Sequence, residues 1–263
     1  MLLDALEALA EHRNAVIVIG AQAVYLHTGG INVAIAEATK DSDVALDTRV
    51  LGDDPRIDAA MKQADFYLDP EKKQPGAWVS ADGIPVDLMV PEALAGRGGR
   101  SVEMPPHDKM AARRAVGLEA AVIDYSALVV PPLDPTDPRV VIANVAGPAA
   151  LLVAKCHKIG ERVSDPNPNR RADKDAHDVY RVLVKFEPGV LAEKFAILLA
   201  DALSADVTRT AVVYLQTLFA DGSDAIGSVM AGRAEEGVGD PEQVSAAIAY
   251  LAADLLGAIR TAS

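Results

Sequence analysis

Apolar residues at helical spacing open the chain. Leu2, Leu3, Leu6 and Leu9 form an apolar stripe at helical spacing within "MLLDALEALAEHRN", which predicts an amphipathic helix over 2–12. The pattern then changes. "NAVIVIG" is a continuous, largely β-branched run that stops at Gly20, as a short buried strand would. "AQAVYLHTG" resumes with helix formers and ends at Gly29-Gly30, so the local order is strand, glycine turn, helix. A strand carrying Asp41 and Asp43 follows. "DDPRIDAAMKQA", with a proline near its start, predicts a helix over 53–64, and "AWVSAD" and "IPVDLMVP" predict two strands that turn at Asp82-Gly83. This succession continues through "AAVIDYSALVV" and predicts a mixed α/β unit reaching about residue 142.

The proline-rich stretch "VVPPLDPTDP" reads as a linker or domain edge, and almost everything beyond it is patterned as helix. "GPAALLVAKCHKIGERV", "KDAHDVYRVLVKF", "GVLAEKFAILLADALS", "DVTRTAVVYLQTLFA" and "PEQVSAAIAYLAADLLGAIR" are successive amphipathic segments. Between the first two lies "SDPNPNRRAD", too rich in Pro, Asn and charge for a core. The expected fold class is therefore α+β: a mixed sheet with flanking helices over 1–142, followed by a helical bundle over 143–263.

Composition narrows the setting. The chain has 263 residues, half of them apolar and about a quarter charged, in the range of soluble globular domains. Its one cysteine, Cys156, excludes an internal disulfide and fits a reducing compartment. The first residues are acidic where a secretory signal would be basic, and no apolar run approaches ~18 residues, so the expectation is a cytoplasmic protein without a membrane partner. The formal net charge of -13 argues against coating nucleic acid non-specifically, since that binding rests on neutralising phosphates.

The chemistry starts with "KDSDVAL". In a strand, residues two apart face the same way, so Asp41 and Asp43 project together, and a hard divalent cation, Mg²⁺ above all, stabilises such a pair. Asp87 interrupts an apolar strand, where a carboxylate must be paired, bind metal or face a cleft. These three aspartates form a candidate site for two Mg²⁺ ions. Upstream, Gly20 lets the backbone approach a phosphate at a helix start. The alternative reading of Asp-Ser-Asp alone is a solvated turn.

The pieces "IVIGAQAVYLH", "TKDSDVAL" and "IPVDLMV" together resemble the nucleotidyltransferase superfamily related to DNA polymerase β. That pattern is an apolar strand, Gly-Gly or Gly-Ser, a helix, Asp-x-Asp and a third carboxylate on a later strand. Here Ala21 stands at the second position of the turn, and the stretch from Gly20 to Asp41 is longer than the pattern. Further on, Lys155 and Arg162 lie two turns apart on one helix face, and Asp175 and Asp178 lie at i and i+3 on the next helix. This resembles the AbiEii-type, MenT-like toxin nucleotidyltransferases, with the likeness covering residues 15 to 183.

The resemblance implies a nucleotidyltransferase fold and a helical domain completing the nucleotide and acceptor cleft. The implied catalytic residues are Asp41, Asp43, Asp87, Lys155 and Asp178, with metal held by the first three. The nucleotide would be bound by Gly20, Ala21, Lys155, Lys158, Arg162 and Asp175. Arg162, Arg170, Arg171 and Lys174 would form a basic surface for triphosphate or RNA. The reaction implied is Mg²⁺-dependent transfer of NMP from an NTP to an RNA, the tRNA 3′ end first, by the toxin of a toxin-antitoxin pair whose antitoxin is a partner. Two alternatives stay open: a nucleotidyltransferase for a small cationic acceptor of the aminoglycoside type, which an acidic surface would attract, and a catalytically silent nucleotide-binding regulator. Ordinary helix-face charge pairing is the alternative for the second cluster, and Cys156, His157 and His177 are expected as packing or hydrogen-bonding groups.

Overall fold

Short apolar runs in the first half of the chain assemble into one sheet, and longer amphipathic segments in the second half assemble into a bundle. The structure is a computed structural model that describes residues 2–29, 41–132 and 136–262. Gly30 at the expected helix end, Thr39 and Lys40 ahead of Asp41, and residues 133–135 of the proline-rich stretch lie outside the described residues. Two compact units emerge: one takes the described residues of Met1–Ala23 and Thr39–Gly147, the other those of Val24–Ala38 and Pro148–Ser263.

The first unit starts with α1 (Leu2–Ala8), extended by a 3-10 turn at Ala10–His12, and β1 (Val16–Ile19). Next come α2 (Gly20–Thr28), whose first turn belongs to this unit, β2 (Ser42–Leu46), α3 (Ile57–Gln63), β3 (Phe66–Leu68), β4 (Ala77–Ser80) and β5 (Pro85–Pro91). β6 (Arg113–Ala115), β7 (Tyr125–Val130) and β8 (Val141–Ala146) complete it. The strand order is β3-β4-β5-β2-β1-β8-β7, with β6 also on β5. β1 runs antiparallel to β2 and parallel to β8, and β2 runs parallel to β5. The sheet is therefore mixed, and its centre is fully buried: all four residues of β1 are covered on both faces, which is why that run carries no polar alternation. Ile17, Val18, Val44, Leu46 and Leu88 form the core around it.

The proline-rich stretch is not a domain edge. It joins β7 to β8, which pair antiparallel along their whole length, and β8 then lies against β1 inside the sheet. Proline cannot donate to a ladder, so it ends β7, yet a connection that ends one strand can lead straight into the next. The first unit accordingly closes at Gly147 rather than at 142.

The second unit contains α4 (Pro148–Ser164), α5 (Asp173–Lys185), α6 (Pro188–Ala200), α7 (Ala205–Leu215), α8 (Ile226–Arg233) and α9 (Pro241–Ala262), with a π-helical turn at Gln216–Ala220 after α7. The helix expected over 189–204 stops at Ala200 because the Asp201 carboxylate accepts from the Leu203 and Ser204 N–H groups and turns the chain. α9 has the length and apolar content of a membrane-crossing helix; within this unit, Val244, Ile248, Ala252, Leu255 and Ile259 make it a core helix beside α6 and α8. The C-terminal half of α2 belongs here too. The buried Arg181 of α5 donates from Nε to Thr28 Oγ1 (3.2 Å), and its guanidinium lies 5.1 Å from the Tyr25 ring centre.

Candidate functional site

The residues picked out by the sequence fall into two clusters, one in each unit. In the first, Asp43 and Asp87 are register partners on the parallel strands β2 and β5, so their carboxylates leave one face of the sheet from neighbouring strands. Ser42 alternates to the other face, where it is buried and accepts from Gln22 Nε2 (3.3 Å). The same Gln22 amide donates to the Asp41 carbonyl (3.1 Å), which fixes the entry to β2. Asp41 itself precedes the strand and is exposed.

Gly20 is required by contact as well as conformation. β1 ends at Ile19, opposite Asp43, and the next residue has φ +72°, a left-handed value. A Cβ at this position would overlap Asp43 Oδ2 and lie 2.9 Å from Asp43 Cβ. The carboxylate thus sits directly on the strand-to-helix turn that starts α2. Ala21, the next residue, is buried.

Asp87 uses its two oxygens differently. Oδ2 accepts from Arg113 Nη2 at 3.0 Å, whereas Oδ1 is buried and has no hydrogen-bond partner among the described residues. Among the described residues, no three His, Cys, Asp or Glu side chains gather closely enough to enclose a metal ion; the close pair is Asp43 with Asp87, and Asp41 stands at the strand entrance. Two carboxylates suit Mg²⁺, which keeps several waters and is commonly held by one or two carboxylates plus substrate phosphates. The unpartnered Oδ1 has an open acceptor position, and buried acceptors are rarely left without a donor or cation. The donor set therefore fits the ion.

The second cluster is a buried ion network on α4 and α5. Lys155 Nζ donates to Asp175 Oδ1 at 2.8 Å and to Asp178 Oδ2 at 2.5 Å, and all three residues are buried. Asp175 also accepts from Lys158 (3.0 Å) and Arg162 (2.7 Å), so one carboxylate holds three cations. Burial alone would raise the Asp175 pKa. The positive charges of Lys155, Lys158 and Arg162 outweigh it and hold the carboxyl below the usual range. Burial likewise opposes the charge on Lys155, but its two aspartates drive its pKa above the ordinary lysine value.

The structure brings Lys155, Lys158, Arg162, Asp175 and Asp178 together and gives them one another as partners. The expected basic surface is also largely paired: Arg170 bonds Glu161 (3.2 Å) and Asp165, and Arg171 donates to the Val163 carbonyl (3.3 Å), while Lys174 is exposed. His157 bonds the Val207 carbonyl at 2.8 Å. Burial pushes the Cys156 thiol up to about 12, so it is a packed thiol rather than a nucleophile.

Three residues escaped the sequence reading. Arg113 lies on a three-residue strand, too short to show a period, and only the β5·β6 pairing places it beside Asp87. Glu235, 2.6 Å from buried His177, follows the unpredicted α8, and Arg181 looks in sequence like any charge on an amphipathic helix.

No protein-family model matches the chain, and no curated protein matches it. Among solved structures it is similar to JHP933 from Helicobacter pylori, at 11% identity and a TM-score of 0.40, covering 99% of this chain and 91% of that one. It is also similar to a structure described as a "putative nucleotidyltransferase from H. pylori", at 10% identity and a TM-score of 0.33, covering 100% and 95%.

Proposed function

We propose that this chain is a Mg²⁺-dependent nucleotidyltransferase that moves NMP from an NTP to an acceptor and releases pyrophosphate. The observation that supports it most is the placing of Asp43 and Asp87, register partners on adjacent strands, against a Gly20 turn that leads into a helix. Asp43 and Asp87 would hold the ion. Bound there, Mg²⁺ would supply charge neutralisation for phosphate oxygens and acidify an acceptor hydroxyl. The Gly20 turn leads into the N-terminus of α2, whose main-chain N–H groups would serve phosphate oxygens bridged to Asp43 through the ion. The residues' part is positioning and electrostatics, which is most of what phosphoryl-type transfer asks of a protein.

By the resemblance of its motifs, the acceptor is an RNA 3′ end, tRNA first, and the protein acts as a toxin held in check by an antitoxin. A second reading, a small cationic acceptor, is favoured by the net charge of -13 and by the pairing of Arg162 and Arg170 to carboxylates. The deciding experiment incubates the full chain with each α-labelled NTP, Mg²⁺ and either total tRNA or an aminoglycoside, beside Asp43→Asn. Label on tRNA that the variant does not transfer supports the RNA reading. Label on the aminoglycoside alone supports the second, and NTP bound without any transfer points to the silent regulator.

A further inference from the structure

Arg113 bonds Asp87, one of the two acids facing each other across β2 and β5, and its place is built with care. β6 runs parallel to β5 with Arg113 opposite Met89, so Arg113 shares a sheet face with Met89 and hence with Asp87, two residues earlier on the same strand. The main chain around it is pinned from the β4 side. Gly76, with φ +71°, accepts from Leu88 N–H (2.8 Å) and donates to the Met110 carbonyl (2.9 Å). A Cβ on Gly76 would come within 2.6 Å of Arg113 N, and the buried Trp78 indole donates to the Ala111 carbonyl at 2.8 Å. β6 is thereby held at a fixed distance from β5.

From that platform Arg113 donates to Oδ2 of Asp87, and Oδ1 has no partner among the described residues. We infer that Arg113 is a positioning residue: it occupies one carboxylate oxygen so that the other is presented, in a single rotamer, on the face it shares with Asp43. A carboxylate with neither oxygen held could rotate about its terminal torsion, which is broad and nearly two-fold. Groups that hold a metal-binding carboxylate from behind typically change metal affinity or activity 10–100-fold when removed. The repulsion between the guanidinium and an incoming cation acts the other way. It is weakened here because about a third of the Arg113 side chain is in solvent.

This inference rests on the metal-binding reading of Asp43 and Asp87, so its test reads metal before activity. Mn²⁺ binding to the full chain is followed by the loss of its free EPR signal, for wild type, Asp43→Asn, Arg113→Gln and Arg113→Lys, with a thermal midpoint for each. The expected result is binding by wild type, loss in Asp43→Asn, about tenfold weaker binding in Arg113→Gln, and recovery of most of it in Arg113→Lys, which restores a donor and the charge. If wild type binds Mn²⁺ and Asp43→Asn does not, while Arg113→Gln binds as tightly as wild type or more so, the positioning role is overturned and the metal site stands. If wild type binds no Mn²⁺, both the site and this role fall. Arg113→Lys keeps the test decisive should Arg113→Gln not fold.

Discussion

A single hydrogen at Gly20 and a single carboxylate at Asp175 show how much rests on small groups of atoms. At Gly20, any side chain meets two obstacles together: a left-handed φ of +72° and the carboxylate of Asp43. Gly20→Ala should therefore lower stability by ~1–3 kcal/mol through backbone strain and, by displacing Asp43, abolish Mn²⁺ binding even in protein that remains folded. Chemical denaturation and the EPR titration read these two effects separately. At Asp175, truncation leaves Lys155 buried with Asp178 as its one remaining carboxylate in the network, and removing one partner of a buried ion pair costs about 3–5 kcal/mol. Lys158 and Arg162, more exposed, add little beyond that. The pH dependence follows in sign. Because the folded carboxyl titrates below its unfolded value of about 3.9, its contribution is complete above that value and is lost as pH falls through the lower folded value. The stability gap between wild type and Asp175→Ala should be constant from pH 7 to 5 and shrink steadily below pH 4, as measured by urea midpoints.

Elements differ in how openly the sequence announced them. β1, α2, β2 and β5 were legible because each is long enough to show its period or is wholly buried, and Gly20 punctuates the turn between the first two. β3 and β6, three residues each, exist because neighbours supply the hydrogen bonds, so no local pattern betrays them. α8 carries two glycines, Gly227 and Gly232, that weaken its helical signal but allow close packing: a Cβ on Gly227 would lie 2.6 Å from the Leu218 carbonyl. The same device sets the α4·α7 crossing, where Gly160 rests on the Tyr214 ring, with a would-be Cβ 2.6 Å from Cζ. Gly160→Val should push these helices apart and cost about 1–3 kcal/mol, the usual range for overfilling a packed contact. Gly160→Val combined with Tyr214→Ala should recover part of the loss, a coupling that a double-mutant cycle in urea measures. Asp43 and Asp87 of the candidate site were legible by type, but the spacing that put Asp41 on the same strand face was not, since β2 begins at Ser42 and Asp41 precedes it. That Asp43 and Asp87 share a register, that Lys155 is buried between two acids, and that Arg113 stands behind Asp87 depend on strand and helix partners far away in sequence.

At the scale of the molecule, net charge separates the two acceptors open to the proposed reaction. A protein of net charge -13 repels a polyanion at long range, so an RNA must be gripped through a few local contacts. The cations placed to make them are mostly engaged: Arg162 with Asp175, Arg170 with Glu161 and Asp165. Each phosphate neutralised adds roughly 0.7–0.9 to the slope of log affinity against log salt. If the acceptor is a tRNA 3′ end, the slope should be shallow, no steeper than about -3 between 50 and 200 mM salt, and should concern the terminal nucleotides alone. Fluorescence anisotropy with 3′-labelled tRNA, beside the same tRNA lacking its last nucleotides, measures both. A slope near -6 would mean that a broad phosphate-tracking surface exists despite the ion pairs seen here. No binding to tRNA, with salt-sensitive binding of a polycationic aminoglycoside in its place, would mean that the acidic surface selects the acceptor and that Asp43 and Asp87 serve a small-molecule transferase.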